Sequence, residues 1–168
     1  MVRTPLHDDD GDDESLSPTA FSYRGSAKIR IEDVEKHYIK FSYELSLLKS
    51  CVYSLNHSSL QKNHFEQYFQ QAQFYSRKTI NDFLELDHRD YHTCIQVLSS
   101  CGKTLKNFYR ANVSGFNYSD PGNQPLVGQF ALYPRDTKSP YRVNFILAPM
   151  GLFYIIGIDT THSLRPTG

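Results

Sequence analysis

The chain has 168 residues, equal numbers of acidic and basic side chains, and 39% hydrophobic residues, with aromatic residues making up 14% of the chain. This length suits one domain, with or without a tail. No run approaches the roughly 18 apolar residues of a membrane span, and no apolar run follows a basic start, so we expect no membrane contact and no secretory signal. Three cysteines without CxxC spacing indicate buried thiols in a reducing cytoplasm.

Charge is unevenly distributed along the chain. Residues 1–25 hold six acidic and two basic side chains, whereas the part from Gly102 onward holds seven Lys or Arg and three acids. We interpret residues 1–26 as a disordered acidic tail and residues 27–168 as a single α+β domain. The basic C-terminal part permits an anionic partner, and the tail could alternatively be an arm that covers it.

Three long helices are predicted, at about 32–56, 60–86 and 88–110. Apolar residues recur three and four positions apart in each, as in an amphipathic helix. The stripe of the first is Val34, Tyr38, Phe41, Leu45, Leu48, Val52 and Leu55. Such a stripe needs a partner helix, either within the chain or in a homodimer formed through helix 32–56.

The third predicted helix contains two cysteines and a glycine. Cys94 and Cys101 lie on the face that carries Leu98 and Leu105, which is typical of core residues. Gly102 in a helix interior costs about 1 kcal/mol relative to Ala, or lets another backbone approach.

The C-terminal third has the only clear strand pattern. Tyr141, Val143, Phe145 and Leu147 alternate with more polar residues, which predicts a half-buried strand at 141–147. Apolar residues at 152–158 follow a short turn, and 129–133 is predicted to be a shorter strand. The expected fold is therefore three long N-terminal helices packed on a three-stranded antiparallel meander.

Four polar residues of this region are candidates for function: Arg135, Arg142, His162 and Arg165. If strands 141–147 and 152–158 pair antiparallel, counting residues outward from the turn between them places Arg142 beside Asp159. His162, three residues further on, is then close to Arg142. A guanidinium binds phosphate with paired donors, and a histidine exchanges protons near neutral pH. These properties suit in-line cleavage of RNA. Alternatively, Arg142 pairs with Asp159 and His162 is an ordinary loop residue.

No cofactor motif is present, and no metal site is predicted. His88 and His92 are one helical turn apart, but no further histidine is placed to complete a tetrahedral site. We find no glycine-rich phosphate loop, nucleophile elbow or dinucleotide fingerprint.

About forty residues resemble the C-terminal half of the RelE/ParE superfamily of toxin-antitoxin toxins. The shared pattern is Pro125, Leu126 and Gly128, then Tyr141-Arg142-Val143, then a strand followed by His162. The resemblance implies an endoribonuclease that acts on messenger RNA at the ribosome, or an inactive relative, with an antitoxin-like protein partner. Arg142 and His162 would be catalytic, with His162 as proton donor, and Arg135 and Arg165 would bind phosphate.

A second hypothesis is a non-catalytic helical module that binds a protein partner. It follows from the long stripe of apolar residues, three and four positions apart, on helix 32–56, and from the absence of a complete set of catalytic residues in the sequence.

Overall fold

The computed structural model describes residues 29–46, 52–114, 116–120, 124–136 and 138–165. Helices and strands alternate irregularly along this part of the chain, as in an α+β protein. The helices are α1 (Ile31–Val34), α2 (Lys62–Tyr75), α3 (Ile80–Leu84), α4 (His88–Tyr91) and α5 (Lys103–Asn112), and the strands are β1 (Lys40–Ser42), β2 (Cys94–Val97), β3 (Leu126–Ala131), β4 (Arg142–Ala148) and β5 (Leu152–Asp159). Short 3₁₀ turns span Leu98–Ser100 and Pro149–Gly151.

A five-stranded mixed sheet forms the centre of the fold, in the order β1-β5-β4-β3-β2. The pairs β2–β3, β3–β4 and β4–β5 are antiparallel, while β1 runs parallel to β5. A bulge in the β4–β5 register follows Asn144, so that Asn144 lies opposite Gly157 and Phe145 lies opposite Ile155. The bulge allows one extra residue of β5 and bends the strand.

Both faces of the sheet are covered. On the first face, Tyr75 of α2 and Phe83 of α3 pack against Phe130, Phe145 and Phe153. On the second face, α5 packs its buried side chains Leu105, Phe108 and Tyr109 over Val127, Ile146 and Ile156. Burying side chains of this size contributes about 1.5–3 kcal/mol each, so the two layers dominate stability.

The prediction of three long helices is wrong. Within the described part of 32–56 the chain forms only the single turn of α1 and then strand β1, and helix 60–86 is divided into α2 and α3 at residues 76–79. The predicted helix 88–110 contains α4, β2, a 3₁₀ turn and α5. Without a helix at 32–56, the homodimer proposed through it loses its basis.

The predicted three-stranded sheet is also wrong, because β1 and β2 extend it at both edges. Strand β4 is not half-buried: every residue from Arg142 to Ala148 is buried. The reason is that α5 covers Ile146 on the face that the alternation pattern left to solvent, and the chain after β5 folds back over the end of the same face.

Cys94 and Cys101 do not share a helix face. Cys94 lies on β2 and Cys101 precedes α5, and both are free thiols. Gly102 is the N-cap of α5, where its extended backbone starts the helix instead of interrupting it.

The acidic segment 1–26 and Cys51 lie outside the described residues. In the described ranges, no helix has the length and apolar character that crossing a bilayer requires.

Candidate functional site

The second face of the sheet changes from apolar to polar at one end. Val127 and Ile146 lie under α5, but the next inward-facing residues along β3 and β4 are Gln129 and Asn144, which pair with each other in the register. The row beyond them contains Arg142 and, opposite it on β5, Asp159. Because side chains alternate along a strand, these polar groups share one face.

Arg142 is the most buried cation of this face, with only 3% of its surface exposed. Its Nη1 donates hydrogen bonds to the carbonyl oxygens of Ser139 (2.8 Å) and Tyr141 (3.0 Å). Burial lowers the pKa of Arg142, and the negative charge of Asp159 acts in the opposite direction. The guanidinium is thus held at the base of β4 by the turn before it.

Asp159 anchors the segment that follows β5. One carboxylate oxygen accepts hydrogen bonds from the backbone N–H (3.0 Å) and the hydroxyl (3.2 Å) of Thr161. The other accepts the backbone N–H of Leu164 at 2.8 Å. Residues 160–165, here called the C-terminal loop, are thereby folded back over the polar end of the sheet.

Two cationic or titratable side chains of the C-terminal loop face the polar end. Arg165 reaches the edge strand β2, where its Nη1 lies 2.7 Å from the Sγ of Cys94. Burial raises the pKa of the Cys94 thiol, and Arg165 offsets part of that effect. His162, with φ of 56°, is half-buried.

Both histidines near Arg142 favour the neutral form. Burial and then the charge of Arg142 lower the pKa of His162 from its ordinary value of 6.5, while Asp159 raises it and Arg165 lowers it further. His92, which ends α4 at φ of 49°, has its pKa lowered by burial, then by Arg142, by His88 and by His162, against Asp90. At neutral pH both rings are therefore uncharged.

We call Arg142, Asn144, Asp159, His92, His162 and Arg165 the polar cluster. Several of its buried polar atoms have no hydrogen-bond partner: Nε of Arg142, Oδ1 of Asn144, Nε2 of His92, and Nε and Nη2 of Arg165. Buried polar groups in folded proteins are nearly always paired, so each exception needs an explanation such as a water, an ion or a ligand. Most of these atoms are donors, which is the arrangement that suits an anion.

The polar cluster brings together three of the four predicted site residues. Arg142, His162 and Arg165 are close enough for both arginines to influence the pKa of His162. Arg135 lies apart: its backbone N–H donates to the carbonyl of Asp90, its Nε is 3.6 Å from the carboxylate of Asp90, and its side chain is 74% exposed. Arg142 and Asp159 are neighbours in the register as expected, although the oxygens of Asp159 bind the C-terminal loop.

Sequence reasoning missed His92 and Asn144. Asn144 and Gln129 had a usable signal, since each is a polar residue inside an otherwise apolar strand and both are buried. His92 was considered only as a possible metal ligand beside His88, whereas it ends the short helix α4 in the left-handed conformation and lies near Arg142.

Within the described ranges, no group of three or more His, Cys, Asp and Glu side chains is placed to hold a metal ion. His88 and His92 do contact each other, with ring centroids 5.9 Å apart.

Comparisons with protein-family models, curated proteins and solved structures gave no match to this chain.

Proposed function

We propose that this protein is a RelE-like endoribonuclease that acts on messenger RNA, or an inactive relative that retains the phosphate site. The observation that supports it is the set of unpartnered donors on Arg142 and Arg165 beside two neutral histidines. Arginine donors match phosphate oxygens in geometry and charge. A ribose hydroxyl could donate to the free Oδ1 of Asn144, which favours RNA over a simple anion.

The cleavage reaction follows from these groups. The neutral ring of His162 accepts the proton of the 2′-hydroxyl as the 2′-oxygen attacks the adjacent phosphorus. Arg142 and Arg165 stabilise the added negative charge of the phosphorane. The bond to the 5′-oxygen then breaks, and the imidazolium returns its proton to that oxygen, leaving a 2′,3′-cyclic phosphate. His162 thus serves as acceptor first and as the predicted donor second.

His162 and His92 are half-buried, whereas Arg142 is only 3% exposed. We place the activity in the cytoplasm, on free or ribosome-bound message, with an antitoxin-like protein as the partner that controls it.

Cleavage of a labelled RNA oligonucleotide in EDTA tests the proposal. The wild type should give 2′,3′-cyclic phosphate ends, and a substrate with a single 2′-deoxyribose at the cleaved position should resist. His162→Asn, which tolerates the left-handed backbone, should lower the rate 10²- to 10⁴-fold, in the range of general acid–base catalysis. A matched change at the exposed His37, His37→Asn, should leave it unchanged. No cleavage by wild type, with or without ribosomes, would remove the catalytic proposal.

A second candidate is a non-catalytic module that binds a protein partner. It is favoured by the burial of Arg142 and by its two hydrogen bonds to backbone carbonyls, which suit a structural arginine. In that case Arg142→Lys would lower the thermal midpoint, and wild type would be inactive on RNA while forming a stable complex with its partner, visible by light scattering.

A further inference from the structure

Two open cavities lie one after the other along α2, facing the connection from β3 to β4, and together they are here called the groove. One part, about 370 Å³, lies between His64 of α2 and the turn containing Tyr133, Lys138 and Tyr141. A second part, about 260 Å³, lies further along α2, between Phe74 and Arg135. Residues 63, 67, 71 and 74 of α2 line it, and their spacing of three and four puts them on one side of the helix. At 1.5 Å per residue this wall is roughly 16 Å long, enough for a few nucleotides.

Aromatic rings occur at both ends of the groove. His64 stacks on Tyr141, with centroids 4.7 Å apart and planes at 23°, and Tyr133 meets both rings edge-on. At the other end Phe74 stacks on Tyr91 at 5.8 Å and 8°. Phe74 is 36% exposed, so part of its ring is open to a ligand. His64 is only 9% exposed and packs on Tyr141, so the open part of Phe74 is the surface on which a base of single-stranded nucleic acid stacks.

Cations lie beside these rings. The ammonium of Lys78 is 4.9 Å from the centroid of Phe74, Arg135 is mostly exposed, and Lys138 is exposed at the opposite end. Two acids are also present: Asp90 pairs with Arg135, and Asp136 accepts the backbone N–H of Lys138. The small excess of positive charge suits a single strand held mainly by stacking, with a modest dependence on salt.

The groove is joined to the polar cluster through one turn. Ser139 and Tyr141 line the first part of the groove, and their carbonyl oxygens hold the guanidinium of Arg142. A strand lying in the groove would therefore contact the same turn that holds Arg142.

We infer that this groove, between α2 and residues 133–136 and 138–141, binds single-stranded RNA and delivers one of its phosphates to the polar cluster. This inference rests on the proposed function, because it takes RNA as the ligand. A base stacks on the exposed part of Phe74, and the backbone contacts Lys138 and Arg135.

Fluorescence anisotropy with a labelled 2′-O-methyl oligonucleotide of about eight nucleotides tests the inference, because this probe lacks the attacking hydroxyl. Phe74→Ala should weaken binding at least fivefold, in line with the loss of one stacked base, and Lys138→Ala should weaken it about twofold to fivefold. Tyr38→Ala is the matched control: Tyr38 is 60% exposed but does not line the groove, so binding should stay at the wild-type value. Phe74→Leu, which keeps apolar bulk without a ring, guards against misfolding and should also weaken binding.

The two proposals fail in different ways. Binding that depends on Phe74 and Lys138, without cleavage of the all-ribose strand, supports the groove and removes the nuclease. Cleavage with wild-type KM in the groove variants supports the nuclease and removes the groove. Equal affinity for a blunt duplex and a single strand would also overturn the groove, since paired bases cannot stack on these rings.

Discussion

At the scale of single residues, the predicted neighbourhood of Arg142 follows from the hairpin alone. Once β4 and β5 are joined by a short turn, the register brings Arg142 opposite Asp159. The C-terminal loop, which follows Asp159, then lies close to Arg142. The burial of Arg142 does not follow from the β4–β5 register, because it depends on α5 and the C-terminal loop, which cover the second face. His92 comes from a distant part of the chain, and local patterns give no information about its position.

Three of the four non-glycine residues with positive φ in the described ranges, His92, Arg135 and His162, lie at this end of the molecule. Such conformations cost free energy and persist where surrounding contacts impose them, often near functional sites. The C-terminal loop has the required contacts in the hydrogen bonds of Asp159.

The two histidines predict a pH dependence of stability. Their folded-state pKa values lie below 6.5, so the folded protein binds fewer protons than the unfolded chain in the window just below that value. Stability is therefore complete above about pH 6.5 and falls as the pH drops from there toward the folded pKa values. Urea melts between pH 7.5 and 5 should show this decline, and the pair His92→Asn with His162→Asn should flatten it. If the free energy of unfolding of the double variant fell with pH in parallel with that of the wild type, the assignment of the two rings to the polar cluster would be contradicted.

At the scale of elements, the hairpin could be predicted and the helices could not. A spacing of three and four arises in residues that do not share a helix: Val34 lies on α1, Tyr38 is exposed, and Phe41 lies on β1. The same stretch also alternates, with Ile39, Phe41 and Tyr43 separated by Lys40 and Ser42, which favours a strand. Pairing with β5 decided between the two patterns.

Strand β5 tolerates no side chain at Gly157. A Cβ there would collide with the backbone carbonyl of Tyr53, which also accepts the N–H of Ile158 at 3.0 Å. Gly157→Ala should lower the free energy of unfolding by about 1–3 kcal/mol, the usual cost of overpacking. Gly102→Ala is the control, since a Cβ at Gly102 meets nothing within 4 Å, and it should cost about 1 kcal/mol or less, because Ala is a poorer N-cap than Gly. Equal effects in denaturant melts would contradict the contact with Tyr53.

At the scale of the whole molecule, the sheet has a polar end between two apolar layers. The first layer, built from α2 and α3, is continuous with the groove wall, and the second, built from α5, stops short of Arg142 and Asn144. The C-terminal loop closes the gap that α5 leaves. Composition and charge gave no indication of this arrangement, because it depends on which face each short element covers.

The molecule as a whole is uncharged, so attraction of RNA over long distances is weak. If the proposed function holds, affinity for RNA must therefore come from the few buried arginine donors and the groove rings. That conclusion makes occupancy of the polar cluster by phosphate the central claim.

The most direct test is an NMR titration of the histidine rings with inorganic phosphate. A bound anion replaces the missing partner of Arg142 and Arg165 and stabilises the imidazolium, so the pKa values of His92 and His162 should both rise, while the ring signals of the exposed His37 should stay in place. Arg165→Gln should reduce the shift. If phosphate leaves His92 and His162 unchanged, or shifts all three rings alike, the polar cluster does not bind phosphate.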